Sequence, residues 1–378
     1  MSSKNLIEQL FNLIRIDSQN PGEYEEQISK YILQKLDYYG FEYECISFDK
    51  MKLRKNIIVY VQGTSEETII LNGHMDTKPF GDIKKWKTPP FSPTIIDGEV
   101  YGLGASDMKS GLAVMVFLLI TIGKKKLKPL YNLEFHFVVD EENNSFFGCR
   151  KLCDFKYLRK EQYKLAIILE PTSAKLATKS LGNKWLKIEI FGKKAHAGKY
   201  YQGVSAPRIM AEILVSITKY AETLRGLDQY PNINIGSLYG GEHPGTVQDY
   251  SSCIIDIRVL QEEHKKELLK RIEELLAFYE IKWTIADYAP EMYSWINSFE
   301  SDEIIELMML ESGQTEGLLF QGGSDAGFYN RLGLNTVIFG PGSLDHAHQY
   351  NEKVNIEEIN ISYKILENIL LNGCGKSC

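Results

Sequence analysis

Apolar positions along this chain recur at two spacings, and the switches between them predict the elements. Leu6, Leu10, Phe11 and Leu13 follow the 3.6-residue spacing of an amphipathic helix. Pro21–Gly22 breaks that pattern before a second helix from Glu23 to about Tyr39. Short β-rich runs follow at Glu42 to Phe48, Asn56 to Val61 and Thr68 to Asn72, so the chain begins as a layered α/β domain. A long loop with Pro79, Trp86, Pro89, Pro90 and Pro93 then leads to the Gly-rich turn Tyr101 to Gly111. That turn feeds an apolar helix from Leu112 to Ile122. Leu133 to Val139 and Leu165 to Leu169 read as further strands.

The texture changes from about Leu176. Trp185 to Phe191 is a strand, Gly192 to Gly198 a loop and Ser205 to Thr223 a helix. Strands follow at Asn232 to Leu238 and Ser251 to Val259, then a helix from Glu262 to Tyr279 and a strand from Ile281 to Ala286. This strand, helix, two strands, helix, strand order predicts a small ferredoxin-like α+β domain inserted into the first. The chain returns with a helix from Ser301 to Leu310, a Gly-rich turn from Gln321 to Gly327, a strand from Asn335 to Phe339 and a last helix from Asn355 to Leu371. The expectation is an α/β domain over 1–175 and 289–378, with a mixed sheet flanked by helices, and an inserted domain over 176–288. A length of 378 residues agrees with two cores.

Composition narrows the function class. A net charge of −7 and a pI near 5.7 argue against nucleic acid and anionic membrane surfaces as partners. The one basic run, Lys124 to Lys128, sits between a helix and a strand as a solvated loop. The longest apolar run, Gly111 to Ile122, is too short to span a bilayer, and no secretory leader is recognised, so a cytoplasmic location is expected. The six cysteines (Cys45, Cys149, Cys153, Cys253, Cys374 and Cys378) are scattered and read as reduced thiols. Cys149 and Cys153 could share a helix face, but no second Cys or His pair accompanies them.

Candidate chemistry collects where apolar runs stop. His74 and Asp76 end the Ile69–Asn72 run two residues apart, so both side chains face one side of a strand end. Alone, the pair fits a buried histidine bonded to a carboxylate as well as it fits a site. Asp107 sits in the Gly-rich turn, Glu141 and Glu142 follow the Leu133–Val139 strand, Glu170 follows Leu169, and His348 lies in a late turn. Adjacent acids at a strand end are either a solvated turn or a ligand and a base pointing different ways. Two histidines with several carboxylates and no cysteine suit zinc, manganese or cobalt. The Gly-rich turn lacks both nucleotide-binding signatures.

Several longer signatures point further: Gly73-His74-Met75-Asp76-Thr77; Trp86 through Phe91; Asp97-Gly98; Tyr101 to Gly111 around Ser106-Asp107-Met108-Lys109; Asp140-Glu141-Glu142 with Gly148; Glu170-Pro171; Ala195-His196-Ala197-Gly198; Gly340-Pro341-Gly342; and Ala347-His348 with Asn351-Glu352. Through them the chain resembles, nearly end to end, the co-catalytic zinc hydrolases that include acetylornithine deacetylase, succinyl-diaminopimelate desuccinylase, aminoacylase and carboxypeptidase G. The resemblance implies two divalent ions, zinc first, with cobalt or manganese as alternatives. His74 and Glu170 would bind one, Glu142 and His348 the other, and Asp107 would bridge them. It makes Asp76 the residue that orients His74, Glu141 the general base, and His196 an oxyanion-stabilising group on a lid that often dimerises. Arg258 matches a position associated with the substrate carboxylate, and Ser324 and Asp325 occupy a turn facing the site in relatives. The register of Ala347-His348 before Asn351-Glu352 favours His348 over His346 as ligand, while His136 and His264 read as structural. Leu103 stands where relatives usually carry Arg, Gly245 where they commonly carry Asn, and Gln248 where they carry Pro, with His243 close by.

The implied activity is removal of an acetyl or succinyl group from a small N-acyl amino acid, closest to acetylornithine deacetylase, by a homodimer joined through the lid. A dipeptidase or carboxypeptidase would use the same site on a short peptide. A non-catalytic binding module of the same fold would be expected to have lost the base or a ligand, and all six positions are intact here.

Overall fold

The computed structural model describes residues 3–51, 53–154, 158, 163–227, 229–297 and 302–372. Cys374, Cys378 and the expected helix start at Ser301 lie outside the described residues. The chain forms two compact units, Met1–Ser180 with Ile296–Cys378, and Leu181–Trp295. These boundaries fall later than expected from sequence because Ala177–Ser180 pairs with Leu318–Phe320 and touches Thr336–Ile338 within the first unit.

The first unit is built on a mixed sheet. Its strands run in the order Glu42–Ile46, Asn56–Val61, Asn132–Val138, Thr68–His74, Tyr163–Ile168, Thr336–Ile338 and Ala177–Ser180. The central strands, Asn132–Val138, Thr68–His74 and Tyr163–Ile168, are parallel, and Thr336–Ile338 continues in the same direction. Thr68–His74 is buried along its whole length, as expected for a parallel strand covered on both faces. The stretch Ala105–Lys125, long and apolar enough to cross a membrane, is instead interior to this unit: the helix Ser110–Lys125 within it buries its residues from Ser110 to Ile122 against the helices Ser3–Ile14, Glu26–Tyr39 and Ile356–Glu367.

Because these strands run parallel, their C-terminal ends share one sheet edge, the edge where α/β sheets collect ligand-binding groups. His74 ends its own strand, Glu141 and Glu142 follow Val138, and Glu170 follows Ile168. A small antiparallel sheet of Thr94–Ile96, Glu99–Tyr101 and Lys353–Asn355, unseen in the sequence because each strand has three residues, brings Glu352 beside the Gly-rich turn.

The second unit has four antiparallel strands in the order Asn232–Tyr239, Tyr250–Val259, Gly182–Phe191, Lys282–Asp287. In chain order that is 2-3-1-4, the ferredoxin-like arrangement. The helices Ala206–Leu224 and Glu262–Ala277 pack on it around Ile188, Ile213, Ile255 and Leu268. Strict burial alternation along Tyr250–Val259 shows one face packed in the core and the other half-buried.

Several boundaries differ from the periodicity. The second helix begins at Glu26 rather than Glu23, after a turn in which Tyr24 takes a left-handed backbone. The basic run is partly helical: the interior helix continues to Lys125 and stops at Lys126 in the left-handed region. The loop holding His196 contains a two-residue strand paired with Thr246–Val247, and the Gln321–Gly327 turn opens into a helix at Ala326–Arg331.

Candidate metal centre

The centre is assembled around Asp107. Gly104 turns the chain with φ 74°, and a Cβ there would lie 2.7 Å from the Thr77 Cγ2, so only glycine fits. The following N–H groups converge on Glu352: one carboxylate oxygen accepts from Ser106 and Asp107 at 2.9 Å each, and the other from Gly104 at 2.7 Å. A buried carboxylate thus satisfies three turn donors and fixes the direction of Asp107. The Asp107–Met108 peptide is cis.

Asp107 then meets two imidazoles. Its Oδ1 is 3.0 Å from His74 Nε2, and its Oδ2 is 3.1 Å from His348 Nε2. Glu170 Oε1 lies 3.6 Å from His74 Nε2, and Glu142 Oε2 lies 2.9 Å from His348 Nε2. His74, Asp107 and Glu170 form one group able to hold a metal ion, and Asp107, Glu142 and His348 form a second. Asp107 belongs to both. His348, with a left-handed φ of 57°, supplies the ring in the second group, while His346 is absent from both. Cys149 and Cys153 are buried free thiols outside these groups.

Asp76 faces the His74 ring with both its backbone carbonyl and its carboxylate. The carbonyl lies 2.9 Å from His74 Nδ1, and the nearer carboxylate oxygen 3.6 Å. The carboxylate also accepts from the backbone N–H groups of Glu141 and Glu142 at 3.2 Å and from Asn20 Nδ2 at 2.8 Å. It fixes the turn that carries the two glutamates.

The electrostatics favour cations. Burial pushes the carboxyls of Glu141 and Glu170 well above their ordinary range, and Asp325 up to about 6. Burial would lower the His74 imidazole, yet Glu170 and Asp107 hold it well above its usual value. Burial likewise opposes protonation of His348, while Glu142 and Asp107 lift it to about 11. Without a cation between them, the acids are balanced by protonating the two rings or the buried glutamates themselves, with the Lys78 ammonium beside Glu142 as the one fixed charge among the described groups facing them. Two neutral imidazoles and three carboxylates around divalent ions remove that conflict, and the donor set is the nitrogen and oxygen set that zinc, manganese and cobalt accept.

Other site residues sit as follows. Ser324 and Asp325 are buried; Asp325 Oδ1 accepts a hydrogen bond from Ser145 Oγ, while Asp325 Oδ2 and Ser324 Oγ have no partner among the described residues. In the second unit, His196 is exposed and its Nδ1 accepts the Gly198 N–H at 3.1 Å. Arg258 donates from Nε to Asp256 at 2.8 Å. His136 is wholly buried between Tyr329 Oη at 2.8 Å and Glu134 at 3.2 Å, and His264 is on the Glu262–Ala277 helix.

Sequence reading assigned no role to Glu352, Lys78, Asn20, Glu25 or Arg54. Glu352 was visible only as part of a signature. Lys78 donates from its backbone N–H to Glu142 Oε1 at 3.0 Å and places its ammonium 3.4 Å from Oε2. Arg54 stands between Leu53 and Lys55 ahead of a strand, where its charge alone gives no signal.

The pattern of peptidase family M20/M25/M40 matches residues 70–372. An uncharacterized metallohydrolase of Methanocaldococcus jannaschii is 28% identical, covering 94% of this chain and 97% of its own. Acetylornithine deacetylase of Pasteurella multocida is 27% identical over 89% of this chain and 88% of its own. Among solved structures, a tripeptidase from Staphylococcus aureus superposes with a TM-score of 0.80 at 22% identity, over 99% of each chain.

Proposed function

The chain belongs to peptidase family M20/M25/M40 and is a metal-dependent hydrolase, and from that premise we propose that it removes an acetyl or succinyl group from an N-acyl amino acid. The observation that carries the reading is the sharing of Asp107 between two donor groups, with its two oxygens turned to different histidines. His74 and Glu170 would hold one ion, Glu142 and His348 the other, and Asp107 would bridge them. Two divalent ions, zinc first and cobalt or manganese as alternatives, would supply Lewis-acid polarisation of the scissile carbonyl and a water that ionises near neutral pH.

Glu141 takes the proton from the attacking water on a carboxylate oxygen and delivers it to the leaving amine nitrogen. Its burial favours the protonated form it must visit between those steps. Asp76, holding the N–H groups of Glu141 and Glu142, keeps base and ligand on diverging directions. His196 would donate to the tetrahedral oxyanion from Nε2, since its Nδ1 accepts the Gly198 N–H. Arg258 would pair with the substrate carboxylate, and Ser324 and Asp325 would line the substrate turn.

In this reading the second unit is a lid and a dimer contact. Its edge strand Asn232–Tyr239 supports the latter by exposing Ile235, Leu238 and Tyr239. Among the described residues, Cys45, Cys149, Cys153 and Cys253 are free, which would suit the cytoplasmic location expected of the chain. The 27% identity to acetylornithine deacetylase supports the acyl substrate, whereas the likeness to the tripeptidase concerns the fold.

The test is a screen of the metal-loaded protein over N-acetyl and N-succinyl amino acids beside di- and tripeptides. Hydrolysis of acyl amino acids is expected. Peptides cleaved with acyl amino acids untouched would replace this reading with the peptidase one. Glu141→Gln should lower kcat by roughly 10²–10⁴ with metal retained, and full activity in that variant removes Glu141 as the base.

A further inference from the structure

A buried ionic bracket behind the metal centre is used by no step above. Arg54 donates from Nε to Glu25 Oε2 at 2.8 Å and from Nη2 to Glu25 Oε1. Its remaining arm, Nη1, donates to Asp140 Oδ1 at 2.7 Å. Glu25 Oε1 in turn accepts the Asp140 backbone N–H at 3.1 Å, and Asn20 Nδ2 bridges Asp140 Oδ1 and Asp76 Oδ2 at 2.8 Å each. The Glu25 and Asp140 side chains are fully buried and Arg54 nearly so, its guanidinium packed over the rings of Tyr24 and Phe147.

The bracket closes on one residue. Asp140 has φ 64° and ψ 21°, a left-handed backbone that an aspartate adopts only at a cost. That bend separates the strand ending at Val138 from the short turn carrying Glu141 and Glu142, and decides where both side chains point. Asp140 also accepts the Phe147 N–H on its second oxygen at 3.0 Å, closing the far side of the turn. His74, Asp107 and Glu170 are carried by other elements, the His74 strand end, the Glu352-held turn and the chain after Ile168; His74 meets the bracket only at second hand, through Asp76, whose carbonyl faces its Nδ1 and whose carboxylate accepts from Asn20.

We propose that Arg54 and Glu25 are positioning residues that hold the Asp140 bend, so that the Asp107–Glu142–His348 group and the base Glu141 depend on this bracket while the His74–Asp107–Glu170 group does not. The inference rests on the metal reading given above. A guanidinium is needed because three arms in one plane satisfy two carboxylates at once; an ammonium keeps the charge and loses that geometry.

The test isolates the two groups and reads metal alone. In a Glu170→Gln background the Glu142-containing group is the complete one, and in a His348→Ala background the other is. Calorimetric titration of cobalt(II) into metal-free protein is compared with and without Arg54→Lys in each. The expected result is at least tenfold weaker binding in the Glu170→Gln background and less than a twofold change in the His348→Ala background. No change in either, or equal weakening in both, overturns the proposal, since general loosening would not discriminate between groups. Should Arg54→Lys fail to fold, Glu25→Gln, which keeps the guanidinium and one acceptor, is read by the same criterion. An unsubstituted protein that binds no pair of divalent ions brings down the functional reading itself, a result separate from two intact sites insensitive to Arg54.

Discussion

The two units solve burial in opposite ways. The second fills its interior with apolar side chains from one sheet face and two helices, around Ile188, Ile255 and Ile257; among the described residues its buried charge is Lys265, paired to Glu262 and Glu291. The first places acids, including Asp76, Asp107, Asp140, Glu141 and Glu170, inside the same wall that holds Leu71, Phe137 and Ile167. Burying a charge without a partner is costly, so Asp76 is tied to backbone N–H groups, Asp140 to a guanidinium, and Asp107 and Glu170 to titratable rings. The second unit can tolerate local change as packing; the first is a network in which one side chain's geometry is another's condition.

The comparison can be broken from the second unit first. Ile255→Ala, in the centre of its core, should cost roughly 2–5 kcal/mol by urea unfolding while cobalt affinity at the metal centre is unaltered. A parallel fall in metal affinity would show that the units do not differ as described. Metal removal should act the other way. Saturating divalent ion at a thousandfold excess over its Kd should add about 4 kcal/mol, seen as hydrogen-exchange protection in the first unit alone. Uniform protection of both units would contradict the contrast.

A smaller effect sharpens it by pH. Lys109 is wholly buried, donates to the Ile16 carbonyl at 2.7 Å, and is pulled down to about 8 by that burial. The unfolded chain keeps this proton up to about 10.5, so between pH 8 and 10.5 the unfolded state binds more protons and stability rises with pH. In metal-free protein, Lys109→Met should remove up to about 3 kcal/mol of that rise, measured as the difference in urea unfolding at pH 7.5 and pH 10. An unchanged slope would mean that the lysine is charged in its buried site. Smallest of all, Arg208→Ala breaks an exposed i,i+4 pair with Glu212 in the second unit and should cost about 0.3–0.5 kcal/mol, vanishing in high salt.

Much of this molecule was legible before any coordinates. Alternation along Tyr250–Val259 and the helical spacing of Ala206–Leu224 announce the second unit because half-exposed elements write their period into the sequence. Fully buried strands such as Thr68–His74 are legible only as apolar runs, and three-residue strands such as Lys353–Asn355 leave no period. His74, Asp107, Glu142, Glu170 and His348 stood out because each follows a run or a turn and because the signatures around them resemble a known family.

What the sequence determined by itself is therefore the set of ligating residue types, the strand ends and turns that carry them, and the βαββαβ order of the insertion, all of which are local or periodic properties. Only the tertiary structure decided that Asp76 reaches His74 through its carbonyl and the glutamates through its carboxylate, that Glu352 clasps the turn before Asp107, and that Arg54 braces Asp140 from 86 residues away. A hydrogen bond is chosen by distance and direction in space, and chain separation carries no record of either.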